Sequence, residues 1–374
     1  MKVGIHVELE RLRIQSGVPR HIREVVGRLL QDTSFETELF VDDALTSSVL
    51  SSLPCLWSNA ARTTFSWSGG LLRRLWGTIG WPPYEAFGGS ADWVYLPADS
   101  YLPTRHARLA ATVHDVYRLD APTLEGNHNV SLYNRLRWRL LLSKIAARAD
   151  AILTVSEFTA NRLKHHFDVP DRRLHVVYNG IEDAFFDPPA TSDWPGLRER
   201  VSVQKPFVVS VGGLKPKKNA IGLIDTWQQV EDVRQDLQLV LVGHNAPGWT
   251  DRARDRLDRA VVAPELSDAE LSLLLDQSQL QFLPSWYEGF GMPALEALAT
   301  GTPVVLSDIP AFREVVGDLG IYVDPADPSQ MAEAIIASVE DSALQRRVGE
   351  QGPDRAGAYT WDACAERVKS VFAS

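Results

Sequence analysis

"WYEGFGMPALEALATGTPVVLSD", residues 286–308, changes character twice. It opens as a glycine-containing loop, becomes a helix-forming run from Pro293, and ends in a β-branched strand pattern closed by Asp308. Loop, helix and buried strand in so short a span form the unit from which parallel α/β sheets are built. Two readings of its chemistry stand open. Gly289, Gly291 and Ala294 fit the dinucleotide spacing G-x-G-x-x-A, with Asp308 placed as a ribose-binding acid. Alternatively, Glu288 in the loop and Glu296, expected in the first helical turn, bracket a site for a sugar diphosphate. The amides of Phe290, Gly291 and Met292 would then point at the anion from the start of the helix.

The same alternation runs in both directions from this stretch. Upstream, "KVGIHV", "TELFV", "WVYLPA", "LAATVHDV", "AILTVS" and "LHVVYNG" read as strands. Pro19–Leu30, Leu132–Ala149 and Phe158–His166 read as helices, the last capped by Ser156. A second series holds "FVVSVGG", "LQLVLVG", "AVVA", "LQFLPS", "TPVVLSD" and "GIYVDP". Its helices fall near Ile221–Val230, Ala269–Gln277, Pro293, Pro328–Val339 and Trp361–Phe372. The proline-rich residues 186–204 read as a linker. The expected organisation is an α/β chain of two doubly wound, Rossmann-like domains, residues 1–185 and 205–357. A C-terminal helix of about 358–374 is expected to pack back on the first. Ligands of such sheets sit at the carboxyl ends of strands, so a cleft between facing sheets is the expected site.

Composition fits this plan. With 374 residues, 45% hydrophobic and 23% charged, the chain is a folded protein with room for two cores. A net charge of -10 argues against a general nucleic-acid binder but leaves room for a local basic site. The two cysteines, Cys55 and Cys364, form no disulfide framework or metal motif, which favours a reducing cytoplasm. The start "MKVGIHV" reads directly as a strand, without a signal-peptide pattern. No apolar run approaches the roughly eighteen residues of a membrane span.

Three further loops carry candidate chemistry. After the first strand, Gly17 precedes a helix expected to open at Pro19, where glycine lets an anion approach the free amides. "ATVHDV" places His114 and Asp115 at a strand end. In "SVGGLKPKKN", Gly212 and Gly213 permit a tight turn and Lys215, Lys217 and Lys218 crowd a helix start, a natural diphosphate site. The Walker order is absent.

"EGFGMPALE" matches the E-x7-E signature of retaining glycosyltransferases of family 4, which share the GT-B fold. "VGGLKPKKN", "TVHDV", "ILTVSEFTANRL", "VVYNGIE", "SDAELSLLL", "ATGTPVVLSDIPAFREVVGD" and "YTWDACAERV" resemble the same family in the same order. The resemblance covers roughly Ala110 to the end, with a weaker match at the first strand and the Gly17 loop. It implies that Glu288 contacts the donor sugar and Glu296 the ribose hydroxyls. Lys218 would neutralise the diphosphate, with amides of Phe290, Gly291 and Met292 on sugar and phosphate. His114 would lie near the transferred sugar and Gly17 near the diphosphate, and Val262–Leu266 would cup the base. Many members carry Arg at the position of Gly213, which shifts weight onto Lys218.

The implied activity is retaining hexosyl transfer from a nucleotide-diphosphate sugar, with GDP-mannose the first expectation. The acceptor would be a hydroxyl of a glycan or lipid-linked molecule, as in bacterial polysaccharide or lipopolysaccharide assembly. No D-x-D pair is present, and no metal or other cofactor is expected. The early tryptophans, Trp57, Trp67, Trp76, Trp81 and Trp93, and the segment "LLRRLWGTIGW" admit peripheral contact with the inner face of a membrane, although packing beside the sheet accounts for them too. The helix "RLRWRLLLSKIAARAD" reads as a core helix with a solvated basic face. Two other functions remain to be separated: an NAD-dependent oxidoreductase using the 286–308 fingerprint, and a non-catalytic binding subunit with this fold. A dinucleotide fingerprint normally opens its domain, whereas this one follows at least three strands of the second series.

Overall fold

The computed structural model describes residues 1–13, 16–50, 53–65, 69–124 and 130–373. The chain forms two compact units. The first comprises Met1–Leu119, Val130–Gly180 and Thr360–Ser374, and the second Asp120–Asn129 and Ile181–Tyr359.

The first unit is built on seven parallel strands: β1 (Lys2–His6), β2 (Glu36–Asp42), β3 (Arg62–Phe65), β4 (Trp93–Leu96), β5 (Arg108–Val113), β6 (Ala151–Thr154) and β7 (Leu174–Val176). Their order is β3-β2-β1-β4-β5-β6-β7. Every pairing is parallel, so the middle strands are covered on both faces and read as continuous apolar runs. The helix Trp361–Phe372 belongs here, next to the helix Gly17–Gln31. Trp93 donates its indole N–H to the Phe372 carbonyl at 3.0 Å, and Lys369 pairs with Asp32 at 2.5 Å.

The second unit has six strands: β8 (Phe207–Val211), β9 (Gln238–Val242), β10 (Ala260–Val262), β11 (Leu280–Leu283), β12 (Val304–Ser307) and β13 (Ile321–Val323). Their order is β10-β9-β8-β11-β12-β13, again all parallel. Val208, Leu239, Leu241, Phe282 and Val305 form the core under the helices Ala220–Val233 and Pro328–Glu340, around a wholly buried Trp227.

Several expectations shift. Residues 186–204 are part of the second unit. Within them the helix Trp194–Val201 buries Leu197 and Val201, Arg200 pairs with Glu270, and Trp194 stacks on Phe207. The chain crosses between units at Gly180 instead. The helix expected to open at Pro19 starts at Gly17, and the one expected at Pro293 starts at Met292. Glu296 is therefore the fifth helical residue, in the second turn and not the first. Trp57, Trp76 and Trp93 are buried and Trp81 is half exposed, while Trp67 lies outside the described residues.

Candidate active site

Each sheet reverses its winding once, between β1 and β4 in the first unit and between β8 and β11 in the second. Loops leaving neighbouring strands diverge at such a point and leave room for a ligand. In the second unit those two loops carry Lys218 and Glu288.

After β8 the chain turns through Gly212 (φ +120°) and Gly213 (φ +74°). A Cβ at Gly213 would lie 2.2 Å from the backbone oxygen of His244, so nothing but glycine fits this conformation. Both glycine amides donate to the Val242 carbonyl, at 2.9 and 3.0 Å. Gly213 thus shapes the loop while its N–H is used within the protein. A short 3-10 turn, Pro216–Lys218, then delivers Lys218 to the site. Asn219 follows in the left-handed region (φ +56°), caps the next helix by accepting from Gly222 N, and donates to the Pro325 carbonyl at 2.7 Å. That double anchor fixes where the preceding lysine begins.

Lys218 Nζ meets Glu288 Oε1 at 2.5 Å, and the Ser285 hydroxyl donates to the same oxygen at 2.8 Å. Glu288 is buried and Lys218 mostly so, with side-chain exposures of 9% and 20%. Oε2 of Glu288 takes no hydrogen bond from the described residues, so one carboxylate oxygen keeps its accepting capacity. Lys215 sits beside this pair. Desolvation holds its ammonium below the ordinary value, the positive Lys218 and Lys217 add to that, and Glu288 opposes it. The amide of Trp286 donates to the Lys217 carbonyl at 3.1 Å, which ties the two loops together.

Gly291 (φ +108°) ends the second loop and is the N-cap of the helix Met292–Ala299, with no side chain capping it. The first amides of a helix have no partner within it, and they carry its positive pole. Glu296 is 4% exposed, further along the same helix. The buried ring of Phe290 meets Tyr359 edge-on at 5.7 Å. The strand-end acid of the dinucleotide reading is spent elsewhere: both oxygens of Asp308 accept from Arg313, at 2.6 and 2.7 Å.

In the first unit, His114 follows β5 directly. Its backbone N–H donates to Asp99 at 2.9 Å, and its Nε2 lies 3.0 Å from the Pro97 carbonyl. A carbonyl only accepts, so Nε2 carries the proton, and a singly protonated ring offers Nδ1 as an acceptor. His21, which the sequence reading passed over, packs edge-on against this ring at 4.8 Å. It is wholly buried, with Nδ1 at 2.8 Å from Asn179 Oδ1 and Nε2 at 3.3 Å from the Tyr95 hydroxyl. Burial, then the nearby His114, lowers its pKa to about 3, against the pull of the Asn179 hydrogen bond. Its signal was present in the sequence: it sits one residue before Ile22 and four before Val25, on the buried stripe of its helix. Gly17 is exposed at the first position of that helix, whose N-cap Ser16 makes no side-chain cap.

Two parallel-sheet units, one with a lysine, a carboxylate and a helix head at its switch point, define the architecture of a sugar-transferring enzyme. A family model described as "Glycosyl transferases group 1" matches residues 198–355, and one described as "Glycosyltransferase Family 4" matches residues 16–185. The chain belongs to the glycosyltransferases of family 4 type, with the GT-B fold. It is 27% identical over 289 residues to O-antigen chain mannosyltransferase B of Escherichia coli, covering 75% of this chain and 74% of that protein. It is 32% identical over 238 residues to the MMP alpha-(1->4)-mannosyltransferase of Mycolicibacterium hassiacum, covering 61% of this chain and 55% of that one. The crystal structure of Anabaena HepE in complex with UDP and glucose superposes over the full length of both chains with a TM-score of 0.75 at 17% identity, a likeness of fold. The NAD-dependent oxidoreductase reading of residues 286–308 is thereby set aside.

Proposed function

We propose that this glycosyltransferase moves a mannosyl group from GDP-mannose to a hydroxyl of a glycan or lipid-linked acceptor, with retention of configuration and without a metal ion or other cofactor. The observation that carries this reading is the Lys218–Glu288 pair beside the head of the helix Met292–Ala299. The leaving nucleoside diphosphate gains negative charge as the bond from C1 to the phosphate oxygen breaks. Lys218 and the helix-head amides of Gly291 and Met292 stabilise that charge. Glu288 uses its open oxygen on a sugar hydroxyl, and its charge favours the oxocarbenium character at C1. The acceptor oxygen bonds C1 on the face the phosphate leaves, and the departing phosphate takes the acceptor proton. Glu296 holds the ribose hydroxyls and residues 262–266 flank the base, while the diphosphate and sugar roles of Gly17 and His114 rest on the family resemblance alone.

Mannose is favoured because both named sequence relatives are mannosyltransferases. HepE was crystallised with UDP and glucose, so uridine and guanosine sugars belong in one panel. A thermal-shift screen of nucleotide sugars reads donor choice directly, since a ligand bound only by the folded state raises Tm with its affinity. GDP-mannose is expected to give the largest shift. Turnover with a glycan acceptor should give the α-anomer, at a rate unchanged by EDTA. A β-anomer would refute retention, and loss of rate in EDTA would refute metal independence. Binding without turnover, equal in wild type and Glu288→Ala, would make the chain a binding subunit.

A further inference from the structure

The helix Leu132–Arg148 presents a face the fold leaves uncovered. Leu142, Ile145 and Ala146 are its buried residues. Leu132, Leu136 and Leu140 recur every fourth position on another side, with Tyr133 between them, and are 53–68% exposed. Basic residues flank this apolar stripe: Arg139 along one edge, Arg137, Lys144 and Arg148 along the other. The helix contains no acid, in a chain of net charge -10.

A second element extends the surface. Lys144 Nζ donates to the carbonyls of Trp76 at 3.0 Å and Thr78 at 2.7 Å, tying the end of the helix Gly69–Thr78 to this one. Leu71, Ile79 and Trp81, on and just after that shorter helix, are 51%, 68% and 49% exposed, and Arg74 lies exposed one turn from Leu71. Seven of the ten strongly exposed large hydrophobic side chains among the described residues thus fall on two tethered elements. Scattered exposure is ordinary; clustering of this kind marks a contact surface.

We infer that this surface docks on a bilayer containing anionic lipids, with the leucines, Tyr133, Ile79 and Trp81 entering the headgroup region and the arginines paired with lipid phosphates. No helix among the described residues is long and apolar enough to cross a membrane, so the contact is peripheral. A second copy of the chain is the poorer occupant, because it would bring two all-basic helices together. The inference extends the lipid-linked acceptor of the proposed function, and vesicle binding, which uses neither donor nor acceptor, separates the two.

The test is co-sedimentation of the full chain with vesicles of phosphatidylcholine alone or mixed with phosphatidylglycerol. Wild type should associate with the mixed vesicles, weaken as salt is added, and largely ignore phosphatidylcholine alone. The pairs Leu136→Ser with Leu140→Ser, and Arg74→Glu with Arg137→Glu, should each lower the partition coefficient about tenfold. Tm and the rate of donor hydrolysis in solution should stay at wild-type values, which separates a docking defect from misfolding. Failure of wild type to bind the anionic vesicles, equal binding by both variants, or a wild-type dimer dissociated by the leucine substitutions would overturn the assignment.

Discussion

Glu288 gives one oxygen to the protein and keeps the other. Its two hydrogen-bond partners, Lys218 and Ser285, converge on Oε1, so the carboxylate is oriented before any ligand arrives. Preorganisation of this kind is where enzymes gain most of their electrostatic advantage. Lys218→Ala should therefore lower kcat/KM for the donor by about a hundredfold, the usual cost of one transition-state charge partner. Glu288→Gln keeps the shape and removes the charge; steady-state kinetics should show a similar loss, mostly in kcat. A fall confined to KM would mean that the pair binds the donor without assisting the transfer. Gly213 makes a different kind of demand. Its positive φ and the 2.2 Å approach to His244 leave no room for a side chain. Gly213→Arg, the residue many family members carry there, should cost about 2 kcal/mol or more in a denaturant titration. Unchanged stability would show that the loop has another accessible conformation.

At the scale of elements, the helix following β1 shows how burial changes chemistry. His21 is neutral in the folded protein, with a pKa of about 3, against about 6.5 in an unfolded chain. Below pH 6.5 the unfolded chain takes up a proton that the folded one refuses, so stability falls as pH drops toward 3. By pH 5 the contribution is about 2 kcal/mol. Denaturation measured from pH 7 to pH 5 should show this slope in wild type and a flatter one in His21→Gln. Equal slopes would place the pH dependence elsewhere. The helix Met292–Ala299 depends on its N-cap. A Cβ at Gly291 would press on Phe312 at 3.0 Å in a left-handed conformation, so Gly291→Ala should lower both Tm and donor affinity. The helix Leu132–Arg148 was expected to be solvated outside its core face. Arg137, Arg139 and Arg148 do reach solvent, but three leucines four residues apart reach it as well, a periodicity visible in "LYNRLRWRLLL" once the buried side is known.

At the scale of the whole molecule, the two sheets were legible because their central strands are covered on both faces and must be written as apolar, β-branched runs. β3, "RTTF", escaped notice because an edge strand carries no such requirement. The boundary at Gly180 was hidden by prolines downstream: "PP" and "WPG" punctuate short helices of the second unit instead of freeing a linker. Lys218 and Glu288 were legible from their loops, and the fold brings them to hydrogen-bonding distance across 70 residues of sequence. The capping of the lysine loop by Asn219, the Ser285 hydroxyl and the His21 contact to His114 were not legible, since each depends on which backbones approach. The central claim is that a nucleotide sugar reacts at the Lys218–Glu288 site. Release of GDP from GDP-mannose, followed by chromatography in wild type, Lys218→Ala and Glu288→Gln, tests this most directly. The expected result is release by wild type and a loss of about a hundredfold in each variant. Release at equal rates in all three, or no nucleoside diphosphate from any nucleotide sugar, would contradict it.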